Sequence, residues 1–130
     1  MAVLDTDILV GLLKNDPEAT GKIRMLQDSG DKITTTMVTA YELVKGAHVS
    51  SRADENLAKL YETLASLMIL ELSFGASDEA ARIYRDLRDR GKMIGEFDIL
   101  IAGTVKFNAE TLVTRDEHFK RIPALKTVSW

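Results

Sequence analysis

The chain has 130 residues, 45 % of them apolar, with 17 Lys and Arg against 20 Asp and Glu for a net charge of −3. That is one domain's worth of chain, expected to span residues 1–130, and too apolar to be disordered. With no cysteine, a disulfide scaffold, a thiolate zinc site and a cysteine nucleophile are all excluded. The opening MAVLDTDILV has neither the basic n-region nor the cleavage site of a secretory signal. No apolar run approaches the roughly 18 residues of a membrane span, so no membrane and a cytoplasmic location are expected. Residues 1–65 carry 7 basic and 10 acidic groups, and residues 66–130 carry 10 of each. No basic arm exists to hold nucleic acid by bulk charge. A nucleic-acid enzyme with this balance needs its carboxylates offset by a divalent cation.

In chain order, Ala2–Leu4 reads as a short strand ending at Asp5. Thr6–Lys14 follows as a helix, with Ile8, Leu9, Leu12 and Leu13 at helical spacing. Asp16, Pro17 and Glu18 supply an N-cap, a first-turn proline and a first-turn acid for a second helix, which runs to about Ser29 and stops at Gly30. Lys32–Thr35 is a second strand and Val38–Val49 a third helix. Asp54–Leu67 is helical, with Leu57, Leu60, Tyr61, Leu64 and Leu67 as its apolar stripe. After a strand at Met68–Leu72, the helix Ala76–Arg90 turns Ala80, Ile83, Tyr84 and Leu87 inward. Its arginines, interspersed with acids, form a solvated face. Phe97–Phe107 is the most apolar helix, and strands at Thr111–Thr114 and Lys126–Ser129 close the chain. Short strands alternating with helices of 10–15 residues imply βαβ crossovers and a parallel sheet, an α/β fold.

The anomaly is acid where apolar residues belong. Asp98 has Ile94, Ile101, Ala102 and Val105 as its helical neighbours, and Glu42 stands four residues after Val38 among Leu43 and Val44. A buried carboxylate without a partner costs several kcal/mol or stays protonated. Asp5 ends the first strand and Asp116 follows the fourth by two residues, at the rim where open parallel sheets bind ligands. Four acids from four segments are thus expected to converge there: Asp5, Glu42, Asp98 and Asp116. Oxygen-only donors select hard cations, Mg²⁺ or Mn²⁺. Taken singly, each acid has a plainer reading. Asp5 caps the first helix, Glu42 pairs with Lys45, Asp98 is a neutral or arginine-paired core acid, and Asp116 caps a short turn. His48 and His118 read as surface residues, and no third histidine supports a transition-metal site.

LDTDIL, TAYELVKG, IGEFDILIAGTV and TLVTRDEHF, in that order and spacing, resemble the four acidic motifs of the PIN domain, most closely in VapC-type toxins of toxin–antitoxin pairs. The resemblance implies a three-layer α/β/α fold around a five-stranded parallel sheet of order 3-2-1-4-5. It implies Asp5, Glu42, Asp98 and Asp116 as catalytic, metal-binding acids for Mg²⁺, with Mn²⁺ as substitute. Thr6 and Thr114 match supporting hydroxyl positions. Asp7 stands where the family most often has Asn, and some members have Asn in place of Asp116. The implied activity is endoribonucleolytic hydrolysis of RNA, with an antitoxin protein and a second copy of the chain as partners. Met25, Leu26 and Leu60 are candidate dimer residues.

Two other readings stand beside it. DTD at positions 5–7 resembles the aspartate-nucleophile motif of haloacid-dehalogenase phosphatases, but Asp116-Glu117 matches that family's late acidic pair poorly. A catalytically silent PIN fold serving protein interaction is expected where the acids are lost, and all four are present.

Overall fold

The computed structural model describes residues 1–130. Five parallel strands, β1 (Ala2–Leu4), β2 (Ile33–Thr36), β3 (Met68–Leu70), β4 (Thr111–Val113) and β5 (Lys126–Val128), form one sheet of order β3-β2-β1-β4-β5. The helices are α1 (Thr6–Leu13), α2 (Pro17–Asp28), α3 (Met37–His48), α4 (Ala53–Ala65), α5 (Phe74–Asp89) and α6 (Glu96–Phe107). A 3₁₀ turn, Glu117–Arg121, links β4 to β5. The α/β class and the strand order are those expected. No helix is long and apolar enough to cross a membrane.

The sheet is covered on both faces because its strands alternate their side chains. Ala2 and Leu4 of the central strand pack with α1–α4, whereas Val3 packs with α5 and α6. In β4, Leu112 joins Val3 and Val113 joins Leu4, as the parallel register requires. Strand β2 is rich in buried threonines, and the hydroxyls of Thr34 and Thr35 are satisfied by the neighbouring strand. Thr34 Oγ1 donates to the Ala2 carbonyl at 3.2 Å and Thr35 Oγ1 to the Leu4 carbonyl at 2.8 Å. The second bond clamps the peptide just before Asp5.

Helices α5 and α6 meet closely through small residues. A Cβ added at Gly103 would lie 2.6 Å from Ala80 Cβ, 2.7 Å from the Ala80 backbone nitrogen and 2.8 Å from the Ala76 carbonyl oxygen. Glycine is therefore needed in the IAG segment to bring α6, which carries Asp98, against α5.

Several expectations are corrected. Strand β2 lies one residue later than Lys32–Thr35, because Thr36 both pairs with Leu70 and caps α3. Strand β3 ends at Leu70, since this edge strand runs out of partner once β2 turns into α3. Helix α5 begins at Phe74 because Ser73 Oγ caps it, accepting from the Ala76 N–H at 3.1 Å. Tyr61 and Tyr84, expected inward, are 50 % and 41 % exposed. Each flanks a narrow buried stripe, Leu60–Leu64 in α4 and Ala76–Ala80–Ile83–Leu87 in α5, that leaves no room for a tyrosine. Leu26 and Leu60, two candidate dimer residues, are buried in the core beneath α2 and α4.

Candidate active site

The four sequence-derived acids come together beyond the carboxyl ends of β1 and β4. Each is placed by a different local device. Asp5 leaves β1 with its backbone N–H still donating to the Val113 carbonyl at 3.1 Å. Its side chain caps α1, with Oδ1 accepting the Thr6 N–H at 2.8 Å. Thr114 leaves β4 held by the Val128 carbonyl at 2.9 Å. Its hydroxyl donates to Asp5 Oδ2 at 2.7 Å and accepts the Asp116 N–H at 3.0 Å. Thr6 Oγ1 donates to Glu42 Oε1 at 3.2 Å. A hydrogen-bonded string thus runs Glu42–Thr6–Asp5–Thr114–Asp116 across three separate stretches of chain. Asp98 faces this string from the first turn of α6, where the helix dipole favours a negative charge.

The plainer readings of Asp5 and Asp116 hold alongside the convergence. Asp116 Oδ1 caps the 3₁₀ turn through the His118 N–H at 2.9 Å. The other two do not hold. Glu42 makes no ion pair with Lys45, whose ammonium instead lies over the rings of Tyr41 and Phe97, at 5.3 and 5.0 Å from their centroids. Asp98 is half-buried with no arginine partner and receives no protein hydrogen bond.

Electrostatically the cleft is strained. Asp5 is only 5 % exposed, and burial raises its carboxyl from 3.8 to about 6. The Thr114 and Thr6 hydrogen bonds work against that rise, and the charges of Asp7 and Asp98 add to it. Glu42 is raised mainly by burial, against the Thr6 hydrogen bond, with Asp5 adding and Lys45 opposing. Asp98 is raised first by burial, then by Asp116 and Glu42. The four acids therefore feel one another, and the fixed positive charge supplied by the chain is small. Such a donor set suits a divalent cation. The donor atoms of Asp98, Asp116 and His118 all lie within 4.8 Å of one another.

Two further groups bear on the cleft: Asp7, which the sequence already flags, and His118, which it does not. Asp7, one residue beyond Thr6 and exposed, adds its charge to Asp5, Glu42 and Asp98. His118 is on the surface as expected, but its Nδ1 lies 3.2 Å from Asp116 Oδ1. Its spacing, two residues after Asp116 in a turn, was the available signal.

This architecture and acidic cleft define a class. The PIN domain family model matches residues 2–125, and the chain belongs to the PIN domain family, alongside its VapC members. The chain is 30 % identical to the tRNA(fMet)-specific endonuclease VapC of Shigella flexneri over 98 % of its length and 96 % of that protein's. It is 32 % identical to ribonuclease VapC2 of Haemophilus influenzae, with the same coverage. Among solved structures, VapBC2 from Rickettsia felis bound to a promoter DNA fragment superposes with a TM-score of 0.92 at 28 % identity, covering 99 % of this chain and 98 % of that one.

Proposed function

We propose that this chain is a Mg²⁺-dependent endoribonuclease, with Mn²⁺ able to substitute, and the toxin of a VapBC-type pair. Asp5, Glu42, Asp98 and Asp116 are its catalytic, metal-holding acids, and Thr6 and Thr114 position them. The observation that carries the reading is the convergence of four carboxylates from four remote segments on one cleft, three of these residues linked by the Glu42–Thr6–Asp5–Thr114–Asp116 string and the fourth, Asp98, facing it. Family membership and VapC relatives support the substrate class.

A bound divalent ion supplies the positive charge that the cleft lacks, offsetting charge on the phosphoryl oxygens and making a neighbouring water more acidic. The chain's own residues do the positioning. Asp5 is locked at both oxygens, by Thr6 N–H and the Thr114 hydroxyl, so it serves as a fixed anchor. Glu42 is steered toward it by Thr6. Asp98, with no protein donor on its oxygens, is free to orient the attacking water and take its proton. No side chain here needs to form a covalent bond to the substrate, and the leaving 5′ or 3′ oxygen departs in line.

The direct test is incubation with RNA in Mg²⁺, Mn²⁺ or chelator, beside the Asp5→Asn protein. Initiator tRNA is the first substrate to try, since the Shigella flexneri relative is named for it. Metal-dependent cleavage lost in the variant is expected. No cleavage of any RNA with Mn²⁺ present overturns the reading.

The proposed partners are a small antitoxin protein and a second copy of the chain, in the cytoplasm. With Leu26 and Leu60 in the core, Met25, which is 54 % exposed, is the one of the three candidate dimer residues that stays accessible. Met37, Tyr41, Leu72 and Phe97 are exposed and line one shallow apolar hollow of about 190 Å³ beside the acidic cleft. A dimer through this face would set two clefts side by side.

A further inference from the structure

We propose that His118 is itself a ligand of the active-site cation, so that Asp98, Asp116 and an imidazole nitrogen form a mixed donor set favouring Mn²⁺ over Mg²⁺. The inference rests on the metal-dependent reading above and refines which ion the site prefers. Three observations carry it. The donor atoms of Asp98, Asp116 and His118 all lie within 4.8 Å of one another, and the separation between His118 Nδ1 and Asp116 Oδ1 is 3.2 Å, near the roughly 3 Å that separates adjacent donors on one ion with bonds of about 2.1 Å. The turn that presents the imidazole is held from both sides. The His118 N–H donates to Asp116 Oδ1, and the next residue, Phe119, is 1 % exposed in the core. The imidazole itself stays open to solvent, so an ion can reach it without displacing protein.

Asp116 keeps only Oδ2 free of protein partners. Its Oδ1 already accepts the His118 N–H, and that same oxygen lies 3.2 Å from the His118 ring nitrogen. A neutral imidazole shares the ion with the remaining carboxylate oxygens, whereas an imidazolium would only repel it. Nitrogen donors contribute little to Mg²⁺, which takes oxygen, and increasingly more along the series from Mn²⁺ to Co²⁺. The three residues thus depart from the oxygen-only donor set that the sequence suggests.

The test uses the whole chain at pH 8. Pulsed electron paramagnetic resonance of bound Mn²⁺ reads directly whether a ¹⁴N nucleus is coordinated. Calorimetric titrations with Mg²⁺, Mn²⁺ and Co²⁺ compare the wild type with His118→Ala and His118→Gln. Expected are ¹⁴N modulation in the wild type, its loss in both variants, and Mn²⁺ and Co²⁺ affinities lowered by at least about tenfold while Mg²⁺ affinity changes far less. Bound Mn²⁺ without ¹⁴N modulation overturns the ligand role and leaves the metal-dependent reading intact. So does tighter binding of every cation to His118→Ala, which would mark the histidine as a competing positive charge. Failure of the wild type to bind any of the three ions overturns both readings.

Discussion

Replacing Asp5 by Asn separates what the carboxylate does for function from what it costs the fold. Burial holds its carboxyl at about 6, against 3.8 in the unfolded chain. At neutral pH the ionised folded state therefore carries a penalty of roughly 3 kcal/mol. Asparagine removes that penalty and can still accept the Thr6 N–H through its carbonyl oxygen. Its NH₂ faces the Thr114 oxygen, which already accepts from Asp116 N–H, so the Thr114 proton loses its acceptor at a cost of about 1 kcal/mol. The balance is a gain of about 2 kcal/mol without metal, or roughly 5–10 °C in melting temperature for a chain of this size. The pH dependence has a definite sign. A carboxyl raised by folding destabilises when ionised, so the wild type recovers stability as pH falls through about 6. The variant's advantage should shrink over that window and reverse below the unfolded value, where only the lost hydrogen bond remains. Mg²⁺ in excess should stabilise the wild type by about 2.7 kcal/mol at 100 times its Kd and the variant much less. Thermal melts of both proteins in chelator and in Mg²⁺, between about pH 3 and pH 8, measure all of this, and RNA cleavage by the variant should be abolished. A variant less stable than wild type in chelator at pH 8 would refute the argument that the cleft is strained by buried charge.

Asp98→Asn should also abolish cleavage and raise metal-free stability, by less than Asp5→Asn because the side chain is only half-buried; melts in chelator check the sign. Thr114→Val keeps the volume but strips Asp5 of a donor and Asp116 N–H of its acceptor. It should cost about 1–3 kcal/mol by denaturant titration and lower metal affinity by roughly 10–100-fold in calorimetry. Gly103→Ala should destabilise by about 1–3 kcal/mol, since the new methyl meets the α5 backbone rather than a movable side chain, and chemical denaturation will register it. Leu72→Asp, at the rim of the apolar hollow, should shift sedimentation from dimer to monomer while leaving the melting temperature of the monomer unchanged.

Much of the site is written in local pattern. Asp98 on an apolar helical stripe and Asp5 at a strand end are anomalies that any reading of periodicity detects, because the period states which way a side chain points from its own element. The caps at Asp16 and Gly30 are local chemistry of the same kind, and both stand where expected. The family resemblance supplied the strand order, which no local pattern contains.

Distances between elements belong to the fold. That Thr114 rather than a lysine or arginine bonds Asp5, and that Thr6 reaches Glu42 and not its neighbours, depends on β4 lying beside β1 and α3 beside α1. Lys45, three residues from Glu42, settles over Tyr41 and Phe97 because α6 brings a second ring within its reach. Leu26 and Leu60 looked available for a partner because a sequence shows that a helix has an apolar face, not what covers it. His118 is unremarkable until the 3₁₀ turn folds it back toward Asp98. The sequence by itself determined the α/β class and singled out the four acids, since each follows from the residue and its own element, whereas the hydroxyls beside them came only from the family resemblance. Only the tertiary structure decided which groups share charge and hydrogen bonds, because those energies depend on separations through space that chain spacing does not encode.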